Sequence, residues 1–213
     1  MIQYIRRFFA AERRTKKMHS VKKAFAAVIA VFTVFAFLSC GEKKPVDTFD
    51  ALMSSVKAAD AAGALECVAD QAGKDYASLI SSADGETLDA VKRLYSYVNY
   101  TVLSENVEAD EAEGKVVVTD TDHCTVRVKI SYPDFGTVMS MTESEQKIFP
   151  SPKARIIESL FSDAAMSQYI VEGTFDVMLE KTDGEWRIAL LETENRGFCD
   201  ALKITEFLRW ILK

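Results

Sequence analysis

The chain has 213 residues, 48% of them hydrophobic and 27% charged, with a formal net charge of −6. That charge is unevenly spread: the first 39 residues hold eight Lys/Arg and one acid, so 18 basic and 31 acidic residues, net −13, remain in the other 174. A body this acidic disfavours nucleic acid and offers anionic lipid no general attraction, and 174 residues fit a single domain.

The first segment reads as an export signal. Arg6, Arg7, Arg13, Arg14, Lys16, Lys17, Lys22 and Lys23 precede the uncharged run AFAAVIAVFTVFAFL, Ala24 to Leu38. Fifteen residues make roughly 22 Å of helix at about 1.5 Å per residue, whereas a bilayer core needs about 20 residues. The run is therefore short for a span and suited to the apolar region of a signal peptide. Arg6-Arg7-Phe8-Phe9 lies too far upstream of it to act as a twin-arginine signal. A start at Met18 would give a compact leader, MHSVKKAFAA, and make residues 1–17 an extension.

Leu38-Ser39-Cys40-Gly41 follows directly. It resembles the lipobox of bacterial lipoproteins, in which a small residue precedes an invariant cysteine. The resemblance implies that the Cys40 thiol receives diacylglycerol and that cleavage falls between Ser39 and Cys40. Residues 1–39 would then be a signal peptide and 40–46 a lipidated cysteine with a short tether. The protein would be exported and lipid-anchored to the bacterial cell membrane or outer membrane, its domain held close to the lipid. One departure is Phe37, which stands where the family usually has Leu. The alternative is a simple signal peptide or uncleaved anchor, with Cys40 an incidental thiol.

Residues 47–213 read as a single α+β domain. Pro45 to Asp60 predicts a helix with Asp47 as N-cap, Phe49, Leu52, Met53 and Val56 as its buried stripe, and Gly63 closing it. A short helix with Leu65, Cys67 and Val68 follows, then a helical stretch over 75–82. After Asp84-Gly85, a helix over 86–97 turns Leu88, Val91, Leu94 and Tyr95 inward.

The period then changes to two. A strand runs from Tyr97 to about Val107, an acidic loop covers 108–114, and Lys115–Thr119 forms a second strand before an Asp120-Thr121-Asp122 turn. Cys124, Val126, Val128 and Ile130 alternate with Thr125, Arg127 and Lys129 in a half-buried strand. Pro133 ends it, and a polar, Pro-containing connection leads to Ser151-Pro152, read as N-cap and first position of a helix carrying Ile156, Ile157, Leu160 and Phe161. Two strands, about 169–181 and 185–192, are joined by Asp183-Gly184, a strong hairpin signal. A terminal helix from about Phe198 carries Leu202, Phe207, Leu208 and Ile211. The expected architecture is N-terminal helices packed on a curved, mostly antiparallel sheet, with a helical insertion and a C-terminal helix.

Three features together, the lipobox, the opening amphipathic helix FDALMSSVKAADAAGALECV and the closing hairpin Asp183-Gly184-Glu185-Trp186-Arg187-Ile188, resemble the nuclear-transport-factor-two-like or cystatin-like α+β fold, as carried by bacterial lipoproteins of unknown function. The likeness spans about residues 46–192. The insertion at 151–168 and the tail at 198–213 depart from the smallest version of that fold. It implies that Trp186 packs on the helical layer with Arg187 facing out, and that a hollow between helices and sheet takes an apolar ligand. Tyr100, Val126, Val128, Tyr132 and Phe175 are the candidate lining; plain core is the other reading of these residues.

Chemical motifs are sparse. His123 precedes Cys124 in a strand, so the two side chains point to opposite faces and form no dyad. No CxxC, HExxH or calcium-loop spacing occurs, and Asp120, Asp122, Glu108 and Asp110 read as solvated acidic turns. No cofactor or metal site is expected. Cys67, Cys124 and Cys199 form an odd set; buried thiols are the expectation for the first two. Phe207, Trp210, Ile211 and Leu212 make the tail apolar on more than one side, to pack on the sheet, meet a partner or rest on a membrane. The functional expectation is a non-enzymatic envelope lipoprotein that binds an envelope protein or a small apolar ligand through its sheet or terminal helix. The alternative is a hydrolase or isomerase using the hollow, with Asp134 or Glu172 as a desolvated base.

Overall fold

Aspartates and one proline start the N-terminal helices. In the computed structural model, which describes residues 43–105 and 122–213, α1 spans Pro45–Ala58 with its proline in the first turn. Lys44 is the N-cap, and Asp47, expected there, stands three residues inside, its carboxylate accepting from the Lys44 N–H at 3.0 Å. Proline at the first position fixes that phase. Asp60 caps α2 (Ala61–Cys67), Asp70 caps α3 (Gln71–Ser82) and Asp84 caps α4 (Gly85–Ser96), each accepting from a backbone N–H of the first turn. A cap of this kind is worth about 1 kcal/mol. Ala59, at φ 51°, closes α1 in place of the expected Gly63. Gly63 lies inside α2, where a Cβ would collide with Ser55 Oγ.

The sheet has four described strands: β1 (Asn99–Glu105), β2 (His123–Pro133), β3 (Ile170–Thr182) and β4 (Glu185–Ile188). They lie in sequence order and every neighbouring pair is antiparallel. Asp183 and Gly184 both take positive φ, as a two-residue hairpin turn requires. β4 ends at Ile188, short of the expected Glu192. Beyond it the Asn195 side chain takes over the backbone of Met178, and Ile188 itself bridges to Val68. The acidic loop 108–114, the expected strand 115–119, Ser39 and Cys40 lie outside the described residues.

Between β2 and β3 the chain is helical over more than the predicted stretch. α5 (Phe135–Ile148) occupies what reads in sequence as a polar connection. Its buried positions are Phe135, Val138 and Thr142, too few and too polar for a periodic signal, and the Thr142 hydroxyl is satisfied by Val138 O at 2.8 Å. α6 (Lys153–Leu160) starts one residue later than expected, with Pro152 rather than Ser151 at the N-cap, and α7 (Asp163–Met166) follows. The tail is two helices, α8 (Arg196–Leu202) and α9 (Ile204–Ile211), separated by Lys203 at φ 51°.

Helices cover one face of the sheet. Phe49, Leu52, Met53 and Val56 of α1, Val91, Leu94 and Tyr95 of α4, and Phe198 and Leu202 of α8 join Val126, Val128, Ile130, Val177 and Leu179 in one buried cluster. The fold is α+β, a curved antiparallel sheet with N-terminal helices, a helical insertion and a helical C-terminus. The other face carries Arg127, doubly bonded to Asp176 at 2.7 and 2.9 Å, and Lys129, 2.7 Å from Glu172. The apolar tail does not lie flat on the sheet: α9 packs on α3, and its Phe207 ring meets Tyr95 and Phe135.

Candidate functional site: an aromatic row on the helix-facing side of the sheet

Antiparallel register puts the five candidate residues on one face. Val128 pairs with both Val102 and Phe175, Ile130 with Tyr100 and Gly173, Val126 with Val177, and Tyr132 with Val171. Directly paired residues share a face and alternate ones repeat it. Val126 and Val128 are fully buried and form the floor, packed with core side chains. Tyr100, Tyr132 and Phe175 are half-buried at its margins.

Two helical phenylalanines join these margins. The Tyr100 ring meets Phe49 edge-on at 5.2 Å, Phe49 lies 5.9 Å from Phe198, Phe198 6.4 Å from Phe175, and Phe175 6.0 Å from Tyr132. These separations suit tilted and edge-to-face aromatic pairs. Phe49 and Phe198 are fully buried, so the row is closed at its centre and open at both ends. In sequence Phe198 reads only as a helix start; Lys203 ends α8 at φ 51°, a break that no residue type there signals.

The ends differ. At one, the Tyr100 hydroxyl donates to Asp50 Oδ1 at 2.8 Å and Lys57 Nζ stands 5.8 Å from the ring centre. Burial, then Asp50, pushes the Tyr100 phenol above its ordinary value. At the other, Tyr132, Phe175 and Val171 form an apolar corner, Val171 being 38% exposed. Phe175 lies across Gly173, whose hydrogen leaves room for the ring: a Cβ there would fall 2.5 Å from Phe175 Cζ. Burial, then Asp134, raises the Tyr132 phenol as well. Both phenols stay protonated at neutral pH; the Tyr100 O–H is committed to Asp50, so the row offers stacking surface with a hydrogen-bond donor at its Tyr132 end.

The other named residues have their own places. Asp134 is the N-cap of α5, accepting from Thr137 N–H at 3.1 Å and Thr137 Oγ1–H at 2.7 Å, which holds its carboxyl below the ordinary carboxylate value. Glu172 sits on the solvent face against Lys129. His123 is exposed and Cys124 buried, on opposite faces of β2, and Asp122 is exposed. Cys67 and Cys199 are free thiols, and the second donates to Leu190 O at 3.0 Å. Trp186 is half-buried on the helix-facing side, with Lys181 Nζ 5.5 Å from its ring and its carbonyl taken by the Thr48 hydroxyl. Among the described residues, no group of three or more His, Cys, Asp and Glu is placed to hold a metal, and no helix is long and apolar enough to cross a membrane. Among the described residues, surface grooves also lie apart from the row, as between α4 and α6, bordered by Glu86, Asp89 and Glu158, and beside Leu191, Cys199 and Lys203.

Fold and site together define an α+β domain with a ring-lined, partly open sheet face. No protein-family model matches the sequence, and no curated protein matches it. Among solved structures, a protein of Bacillus subtilis strain 168 provisionally described as a lipoprotein (YcdA) matches with 15% identity and a TM-score of 0.33. The match covers 74% of this chain and 58% of that one, and a score this low does not relate the two folds.

Proposed function

We propose that the chain is a membrane-anchored lipoprotein of the bacterial envelope whose domain is a non-enzymatic binding module. The anchor rests on sequence: a basic segment, a fifteen-residue apolar run and Leu38-Ser39-Cys40-Gly41 in the order that lipoprotein maturation requires. Two or three acyl chains at one cysteine give lasting attachment, where a single chain binds only marginally. The long central strands, the helix layer on one sheet face and the Asp183-Gly184 hairpin support the nuclear-transport-factor-two-like reading of the domain.

The observation that carries the binding role is the open corner of Tyr132, Val171 and Phe175 at one end of the aromatic row. It suits a small apolar ligand, or an apolar side chain of an envelope protein, stacked on Phe175 with a polar group held by the Tyr132 phenol. The experiment has two parts. Mass spectrometry of protein extracted from cell membranes should find residues 1–39 removed and diacylglycerol on Cys40, and Cys40→Ala should abolish both. Tagged protein should then retain a ligand or partner from envelope extract that Tyr132→Ala with Phe175→Ala releases; identical retention by that variant would move the binding site elsewhere.

A further inference from the structure

The turn between α5 and α6 carries two large apolar side chains into solvent. Ile148 is 67% exposed and Phe149 62%, adjacent in sequence and followed by Pro150. They stand out because the rest of α5 turns its apolar residues inward. The turn is fixed in place: Phe149 N–H closes the helix on Glu145 O at 2.8 Å, and Gln146 Nε2 donates to Ser151 O at 3.0 Å. Lys147 and Lys153 flank the pair. Beside it, Trp210 of α9 is half-buried with its indole N–H on Glu143 at 2.7 Å, and Lys153 Nζ lies 4.8 Å from its ring and 2.6 Å from its carbonyl. Lys213 stands near enough to Lys153 to act on its charge.

We infer that this tip, Ile148 and Phe149 framed by Lys147, Lys153 and the Trp210 indole, inserts into the surface of a lipid bilayer and gives the domain a second membrane contact. The inference rests on the lipid-anchored reading and adds to it an orienting contact made by the folded domain. Two features favour lipid over protein as the occupant. The apolar surface is a projecting pair of side chains, not a groove, and two side chains fall far short of the roughly 800 Å² per partner that a stable protein interface buries. A bilayer accepts protruding groups one at a time, and apolar residues ringed by Lys and Trp match its layering of acyl chains, interface and anionic headgroups. An anchor elsewhere on the chain also makes the second contact intramolecular, so two side chains suffice where they could not recruit the protein from solution.

The test uses the full acylated chain reconstituted into vesicles of phosphatidylethanolamine and phosphatidylglycerol whose acyl chains carry bromine, which quenches tryptophan by contact. Phe149→Trp is compared with Leu191→Trp, since Leu191 is 68% exposed and borders the groove at the opposite end of α9. The fluorescence each variant adds to the parent is read with and without bromine. The signal from position 149 should be quenched at least about twofold more than that from position 191, as expected for an aromatic at the interface against one in water. Flotation of the same vesicles reads the anchor separately. Protein that floats with equal quenching at the two positions overturns the tip alone, and protein that does not float overturns the anchor and the tip with it.

Discussion

The carboxamide of Asn195 holds both backbone groups of Met178, accepting from its N–H at 2.7 Å and donating to its carbonyl at 2.9 Å. The same Nδ2 donates to Ala189 O at 2.9 Å, and the side chain is fully buried. Asn195 thus pairs with β3 where β4 has already ended. Removing it takes this partner from both backbone groups of Met178, each worth about 1 kcal/mol or more, whereas Ala189 O keeps the Glu192 N–H at 3.2 Å. Asn195→Ala should lower unfolding stability in urea by about 2–4 kcal/mol. Asn195→Asp should be no better, because it sets a carboxylate against two carbonyls.

Gly173 and Phe175 should behave as a coupled pair. Gly173→Ala places a methyl inside the space of the Phe175 ring and should cost about 1–3 kcal/mol by overpacking. In the Phe175→Leu background the ring is gone and the same change should cost clearly less. A double-mutant cycle of chemical denaturations reads the difference; additive costs would mean that the ring simply turns aside.

Stability should fall with acid in a defined window. Hydrogen bonds from Thr137 to Asp134, and Arg127 beside Asp176, hold both carboxyls below their ordinary value of 3.8. A depressed folded-state pKa adds stability that is fully present above the unfolded value and lost as pH falls through the folded one. Melting temperature should therefore be level near pH 5 with respect to these groups and drop below about pH 4. Asp134→Asn and Asp176→Asn should each flatten that drop, more visibly in low salt for the exposed Asp176 pair.

The Cys199 thiol should resist modification in the folded protein. Burial, then Asp70 and Asp200, pushes it up to about 12, and thiolate is the reactive form. Cys67 is buried and also raised, chiefly by burial. Aromatic disulfide reagents at pH 8 should react with neither at the rate of an open thiol, and with both after denaturation. Prompt reaction of the native Cys199→Ser variant would single out another cysteine as accessible.

The elements legible in sequence are those with strong local periodicity. The α1 stripe of Phe49, Leu52, Met53 and Val56, the β2 alternation from Cys124 to Ile130, and the Asp183-Gly184 turn all stand where their patterns place them. α5 is not legible because its inward face is completed by Thr142, whose hydroxyl is internally satisfied, so burial there leaves no apolar mark. Lys203 adopts a left-handed conformation that Gly or Asn usually signals, which hides the division of the tail. Of the site, register alone places Tyr100, Val128 and Phe175 on one face. The contributions of Phe49 and Phe198 arise from tertiary packing between elements some 150 residues apart.

The insertion between β2 and β3 also shapes how the chain folds. Those two strands share the longest ladder in the sheet, yet the segment from Asp134 to Tyr169 separates them. The β3–β4 hairpin closes over two residues and forms on the microsecond scale. The central ladder must first bring together ends separated by three helices, an entropic penalty that grows with the logarithm of the loop. Loop entropy therefore predicts that the central ladder zips after the β3–β4 hairpin, with the edges of β2 and β3 open until the helical segment packs against α4.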